Sequence, residues 1–231
     1  MDLSTFPITE DIELHAIWDS NPVSVYDNIH PEYFYEVSTA SYTDSGTETK
    51  YNIDGIRLGL KTAVRGKITI PAKFNGKPVV EIDPSFGMSS NLGKEEALDM
   101  GAKWTGIRNG TDVTHIFFQK DADTGMTNVR NIRPLTFYRT LNLRYFEFAD
   151  GIRTIGKNAF FFSRNSYNEQ TSLTSSVIAG TIKKIEEGAF RRAFAPTVTS
   201  IEIGSKITDI GLNAFGIYED LSSISNVSIG S

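Results

Sequence analysis

The stretch "KITDIGLNAFG", residues 206–216, carries a spacing of apolar residues that recurs along the chain. An Ile is followed by a second Ile three residues later and by a Phe five residues after that. The five copies, given by their apolar positions, are Val79, Ile82, Phe86; Val129, Ile132, Phe137; Ile152, Ile155, Phe160; Ile182, Ile185, Phe190; and Ile207, Ile210, Phe215. The first copy is one residue shorter between its last two positions. Five copies in one phase indicate an internal repeat.

A short β-rich run precedes each copy. The runs are "KITI" (67–70), "VTHIFF" (113–118), "LRYFEF" (143–148), "LTSSVI" (173–178) and "VTSIEI" (198–203), and "NVSI" (226–229) begins a sixth. The steps between successive Phe residues are 51, 23, 30 and 25, which indicates a unit of about 23 residues with insertions. Residues 88–110 account for the longest step. A unit this short cannot bury its apolar side alone, so we expect stacked coils with a continuous core.

In this arrangement the β-rich runs pair as parallel strands, one from each coil. The Ile-to-Phe segment is expected to cross the other side of the coil as an extended or turn-like segment, with its Phe in the core. Because side chains alternate along a strand, each run has an inward and an outward set. The inward set is Ile116, Phe118, Phe146, Phe148, Ile178, Ile201 and Ile203; the outward set is His115, Phe117, Tyr145, Glu147, Ser175, Val177, Ser200 and Glu202.

The outward set contains one candidate ligand-binding site, formed by His115, Phe117, Tyr145 and Glu147. Phe117 and Tyr145 should be neighbours on adjacent coils, and exposed aromatic clusters are typical of interaction sites. An unperturbed His115 would make binding pH-sensitive near pH 6–7. The alternative is that the insertion 88–110, with Trp104 and Ile107, folds back and covers these four residues.

The stretch "SIEIGSKITDIGLNAFGIYEDLSSISNVSI" (200–229) resembles the leucine-rich repeats of BspA-like surface proteins. The stretch "YNIDGIRLGLKTAVRGKITIPAKFNGKPVVEI" (51–82) is similar to the entry segment of such arrays. The resemblance covers about residues 50–231 and implies a mainly β leucine-rich-repeat solenoid of about five to six coils. It also implies an extracellular or cell-surface location, and adhesion to a protein or glycan ligand, including a host-derived one. The Cys that often follows the Phe in this family is missing from every copy.

Upstream of the repeats, "DLSTFPITEDIELHAIWD" (2–19) resembles the closing half of an internalin-type B repeat, a β-grasp-like module. The alternative is a plain edge strand docked on the solenoid. We therefore divide the chain into a B-repeat remnant (1–19), a linker (20–32), an N-terminal cap hairpin (33–66) and the solenoid (67–231) with its insertion at 88–110. The remnant would make this chain a fragment of a longer one.

The sequence offers no constellation for catalysis, a cofactor or a metal ion. It has no Cys, and its three His residues are at positions 15, 30 and 115, without a metal-binding spacing. Asp121 and Asp123 have the spacing of a calcium loop but lack its later carboxylate, so a surface loop is expected. We expect no enzymatic activity. The net charge of −5 argues against a nucleic-acid partner.

No apolar run is long enough to span a membrane, and the first residues do not form a signal peptide. Two functions from different classes remain. One is a non-catalytic recognition or adhesion module that uses the sheet face. The other is a structural spacer in a phage virion or surface layer.

The terminal "NVSIGS" is not followed by another Ile-to-Phe segment. We therefore expect either more sequence or a partner on the last coil, and a second copy could be that partner.

Overall fold

A computed structural model describes residues 29–61, 64–83, 112–138, 140, 142–161, 173–174, 176–178, 180–195, 197–216 and 224–230. The B-repeat remnant, most of the linker and the insertion 88–110 lie outside the described residues. The strands are β1 (Phe34–Tyr42), β2 (Ile53–Leu60), β3 (Arg65–Ile70), β4 (Lys73–Phe74), β5 (Lys77–Ile82), β6 (Asp112–Phe118), β7 (Asn131–Ile132), β8 (Tyr145–Phe146), β9 (Thr154–Ile155), β10 (Val177–Ile178), β11 (Lys184–Ile185), β12 (Ser200–Ile203), β13 (Asp209–Ile210) and β14 (Asn226–Ile229). Pro31–Tyr33 and Thr49–Tyr51 are 3₁₀ turns.

The β-rich runs stack as parallel strands, as the repeat predicts. One three-stranded sheet has the order β3-β6-β8 and another has the order β10-β12-β14. The bond from the Thr174 amide to the Arg144 carbonyl, 2.9 Å, continues the first sheet toward the second. The protein is therefore a mainly β solenoid of about five stacked coils.

The Ile-to-Phe segments form more regular structure than the sequence indicated. Their second Ile lies in a short strand, which has six residues in β5 and two in each of the others. These strands pair in parallel in the order β5-β7-β9-β11-β13. The antiparallel hairpin β1–β2 extends the same sheet, because β2 pairs in parallel with β5. Each coil therefore contributes two strands, because stacking brings its backbone within hydrogen-bond distance of the next coil on both sides.

A ladder of Phe rings runs through the core. Phe137, Phe160, Phe190 and Phe215 stack with ring centroids 5.0, 5.1 and 5.4 Å apart. Phe160 and Phe190 are buried as expected, at 0% and 1% exposed. Phe215 was also expected to be buried, but it is only partly so. It is the last ring of the ladder in the described part of the chain, and only one of its faces stacks on Phe190.

The coils that carry Phe137, Phe160, Phe190 and Phe215 each turn through a left-handed residue two positions before the Phe. Leu135, Asn158, Gly188 and Asn213 have φ of 63°, 53°, 63° and 52°. Gly and Asn tolerate this conformation with little strain. At Gly188 a second constraint applies, since an added Cβ would lie 2.2 Å from Asn158 Oδ1 on the neighbouring coil.

A column of cations lies beneath the loop between β1 and β2. Arg130, Arg153 and Lys183 occupy the same place in successive repeats, seven residues before the Phe. Arg153 is fully buried and donates from Nη2 to Asp44 (3.0 Å) and Glu48 (2.5 Å). Its guanidinium also lies 3.8 Å from the ring centroid of Tyr51, within reach of a cation–π interaction.

Further cations bind the same two carboxylates. Lys183 lies 2.9 Å from Asp44 and 3.1 Å from Glu48, and Lys206 also binds Glu48. Arg130 donates from Nε to the Tyr51 carbonyl at 3.1 Å. Ion pairs thus bind the loop between β1 and β2 to consecutive coils. We call Asp44, Glu48, Arg153 and Lys183 the cap charge cluster.

This cluster should make stability sensitive to acid. Desolvation opposes ionisation of Asp44, but hydrogen bonds from Lys183 and Arg153 outweigh it and lower the pKa of Asp44. Hydrogen bonding from Lys206 contributes most to lowering the pKa of Glu48, to about 2. Depressed carboxyl pKa values stabilise the fold above their unfolded values near 4, and this stabilisation is lost as the pH falls toward 2. We expect the free energy of unfolding, measured in urea, to fall over that interval.

Two substitutions separate this effect from general acid denaturation. Asp44→Asn should lower stability at pH 7 and flatten the dependence between pH 5 and pH 2. Glu187→Gln removes a carboxylate in an exposed ion pair with Lys157 and should leave the pH profile unchanged. Equal profiles for Asp44→Asn and the parent protein would show that the cluster does not govern acid stability.

Candidate functional site

The candidate site lies on the outward side of β6 and β8. Their inward residues Ile116, Phe118 and Phe146 are at most 1% exposed, so the alternation places His115, Phe117 and Tyr145 on the opposite side. These three residues are half-buried. His115 pairs directly with Tyr145 across the two strands.

The three rings form one cluster. The Phe117 and Tyr145 ring centroids are 5.3 Å apart, and the His115 ring lies 6.1 Å from Tyr145 and 6.3 Å from Phe117. We call His115, Phe117, Tyr145 and Glu147 the aromatic face. The structure thus brings together the residues predicted as neighbours, while the covering insertion 88–110 lies outside the described residues.

Glu147 plays a partly structural role in this cluster. Its Oε2 accepts a hydrogen bond from the Phe118 amide at 2.7 Å, and its own amide donates to the Ile116 carbonyl at 2.9 Å. The carboxylate therefore binds the backbone of the neighbouring coil as well as bordering the rings. Desolvation, together with the charge of Glu147, raises the pKa of Tyr145, so its hydroxyl remains protonated at neutral pH.

His115 differs from an ordinary surface histidine. Its Nδ1 lies 2.9 Å from Thr114 Oγ1. Desolvation lowers the pKa of His115, and the positive charges of Lys67 and Arg144 lower it further. The expectation of titration near pH 6–7 rested on an unperturbed imidazole. The structure moves that titration to lower pH.

Sequence reasoning did not include Lys67 and Arg144 in the site. Lys67 lies on β3, where it pairs with His115 in the strand register. Arg144 directly precedes β8, and its amide donates to the Thr114 carbonyl at 2.8 Å. Lys67 occupies an outward position of the run "KITI" (67–70), so the alternation of side chains could have placed it in the site.

Later coils present smaller outward side chains. Val177 is 60% exposed and pairs with the exposed Glu202, while Ser200 pairs with Asn226. Ser175 lies outside the described residues. The aromatic cluster therefore belongs to the early coils, and the outward surface of β10, β12 and β14 provides a contrasting control region.

The loop at Asp121 is stabilised by protein groups. Asp121 accepts hydrogen bonds from Asn128 Nδ2 and the Asp123 amide, both at 3.0 Å, and pairs with Lys73 at 3.1 Å. Asp123 is almost fully exposed. Among the described residues, His, Asp and Glu side chains do not cluster in threes where they could hold a metal ion.

A shallow depression of about 340 Å³ lies on the opposite sheet, along β9, β11 and β13. Its charged residues largely neutralise one another, since Lys157 pairs with Glu187 and Lys184 pairs with Glu186, at 2.9 and 3.0 Å. In the part of the chain that the structure describes, no helix has the length and apolar character needed to cross a membrane.

The comparison with known families agrees with this geometry. Residues 161–230 match the model of the BspA type leucine rich repeat region, a description that specifies six copies. Residues 161–230 carry BspA-type leucine-rich repeats. The match includes β10 to β14, and the coils at Phe137 and Phe160 share their strand order and Phe ladder. The chain shows no significant match to a curated protein or to a solved structure.

Proposed function

We propose that this protein is a non-catalytic recognition module of a cell surface, which binds a protein or glycan ligand through the aromatic face. The observation that carries the proposal is the cluster of three partly exposed rings, His115, Phe117 and Tyr145, on a sheet face. Aromatic residues supply large contact areas at recognition sites. The BspA-type repeat is a non-enzymatic family associated with surface interactions, which supports the proposal.

The rigidity of the face also favours binding. Its backbone is hydrogen-bonded to both neighbouring coils, because β6 pairs with β3 on one side and β8 on the other. A preformed surface loses little conformational entropy when a ligand binds.

Replacing Phe117 and Tyr145 together with Ser should abolish binding to cells or to immobilised extracellular matrix without a change in melting temperature. Both rings lie outside the main core, so their loss should remove contact area for a ligand and little else. The matched control is Val177→Ser with Glu202→Ser, which changes a neighbouring outward pair on β10 and β12. A large drop in melting temperature for the Phe117/Tyr145 variant would show that the pair is core.

A second candidate function is a structural spacer that self-associates through its last coil. Four of the five exposed large hydrophobic residues in the described part of the chain lie there: Ile210, Leu212, Val227 and Ile229. In the described residues, β13 and β14 each end their sheet, so their outer edges are unpaired. Open edges with apolar side chains favour strand pairing with another chain.

We expect sedimentation velocity to show a mass that rises with protein concentration. Leu212→Glu with Ile229→Glu should return the protein to a monomer, since it places charges on the apolar end. The Phe117/Tyr145 double variant is the control and should associate like the parent protein. A monomer at all concentrations would contradict self-association through the last coil, and with it the spacer function.

A further inference from the structure

Half of the 18 Lys and Arg residues in the described part of the chain pair with carboxylates there. Nine Lys and Arg residues form salt bridges: Arg57, Lys73, Lys77, Arg133, Arg153, Lys157, Lys183, Lys184 and Lys206. Lys67 and Arg144 are exposed, and neither forms a salt bridge with any described residue. These two cations lie beside the aromatic face, in a chain of net charge −5.

Lys67 and Arg144 lie beside the aromatic face because of the way the strands pair. Lys67, His115 and Tyr145 lie in one row across β3, β6 and β8. Arg144 adjoins Tyr145 and is hydrogen-bonded through its amide to Thr114. The two cations therefore flank His115 from the coils on either side. Besides desolvation, the positive charges of both lower the pKa of His115, in keeping with this placement.

The carboxylate at this site has a protein partner of its own. Glu147 accepts the Phe118 amide at 2.7 Å, so one of its oxygens is directed at the backbone of β6. With respect to the described residues, Lys67 and Arg144 thus remain available for an external anion, and Phe117 and Tyr145 for apolar contact.

We propose that the aromatic face binds an acidic peptide segment of a partner protein, whose carboxylates pair with Lys67 and Arg144 and whose apolar side chains contact Phe117 and Tyr145. The proposal rests on the function proposed above and names its ligand class. Arg, Tyr and Phe, all present on this face, are enriched in protein–protein interfaces. Complementary charge sets the choice of partner and the rate of encounter.

The test uses the full chain and fluorescein-labelled peptides in which Glu alternates with an apolar residue. Alternation places the carboxylates on one side of an extended peptide and the apolar groups on the other. The matched peptide carries Gln in place of Glu, and hyaluronate serves as a polysaccharide with carboxylates. Fluorescence polarisation at low and high salt measures binding.

We expect the Glu peptide to bind and the Gln peptide and hyaluronate to bind at least about tenfold more weakly. Lys67→Gln with Arg144→Gln should weaken binding of the Glu peptide by about tenfold or more and reduce its salt dependence. The control Lys157→Gln with Lys184→Gln removes the same charge from the opposite sheet and should bind like the parent protein. Melting temperatures should agree among all three proteins, because the four substituted side chains are exposed.

Three outcomes would overturn the proposal. Equal affinity for the Glu and Gln peptides would exclude a role for carboxylates, and stronger binding of hyaluronate would assign the face to an acidic glycan. Unchanged affinity after Lys67→Gln with Arg144→Gln would place the acidic ligand elsewhere. If cell or matrix binding still depends on Phe117 and Tyr145 in these cases, the recognition function stands and only the ligand class is wrong. If cell or matrix binding does not depend on these two rings, both the recognition function and the acidic-peptide ligand are wrong.

Discussion

Phe190→Ala is expected to lower the free energy of unfolding by about 3–5 kcal/mol, the usual range for truncating a buried Phe. The ring is 1% exposed and contacts four other Phe rings. Those rings are Phe160, Phe215, Phe194 and Phe148, with centroids 5.1, 5.4, 5.4 and 5.6 Å away. The rigid coil backbones limit how far the neighbours can move into the resulting cavity, so the loss should be large. Equilibrium unfolding in urea measures it.

The effect should extend to both neighbouring coils, because the stability of a repeat array depends on interfaces between adjacent repeats. The Phe160 amide donates to the Ala189 carbonyl at 2.8 Å, and the Phe190 amide donates to the Ala214 carbonyl at 2.7 Å. Hydrogen exchange at both amides should accelerate in the variant. Phe215→Ala is the matched control and should cost less, since its ring is partly exposed. An equal or larger cost for Phe215→Ala would contradict the ladder as described.

Arg153→Met should cost about 3–5 kcal/mol, because it breaks a buried ion pair and leaves Asp44 with Lys183 as its remaining cationic partner among the described residues. The Arg153 side chain is 0% exposed and that of Asp44 is 1% exposed. The guanidinium also donates from Nη1 to the Thr181 carbonyl at 2.6 Å and lies over the Tyr51 ring. Met fills similar space without replacing these bonds. Urea unfolding of the variant measures the loss.

A double-mutant cycle with Asp44→Asn tests the origin of that loss. If the cost comes from breaking the Arg153–Asp44 pair, the double variant should lose less than the sum of the two single variants. Lys157→Met is the control for removing a cation from an exposed pair, and it should change stability by no more than about 1 kcal/mol. Additive losses at Asp44 and Arg153 would show that the two side chains act independently.

The regular features of this protein could be predicted from its sequence. The apolar positions of the repeat identified the coils, the Phe ladder and the inward residues Ile116, Phe118 and Phe146, all of which are buried. The same alternation placed Phe117 beside Tyr145. Burial in a solenoid repeats with the sequence period, so an apolar spacing that recurs in several copies is sufficient to predict which positions are buried.

Features that depend on contacts between distant residues could not be predicted in this way. Asp44 and Arg153 are separated by 109 positions, and only the stacked coils bring them together. A weak signal existed, since Arg130, Arg153 and Lys183 share one repeat position, and a cation that is buried there, as Arg153 is, requires a counter-charge. The sequence did not indicate that the loop between β1 and β2 supplies it.

The sequence by itself determined the repeat, the core and the outward order of side chains, because each follows from a period that local spacing reveals. The tertiary structure decided three further points: the second parallel ladder at Ile132, Ile155, Ile185 and Ile210; the partial exposure of Phe215; and the field of Lys67 and Arg144 at His115. Each depends on which backbone, ring or charge lies on the adjacent coil. Distances between coils are set by stacking of the whole chain, and the spacing within one repeat does not contain them.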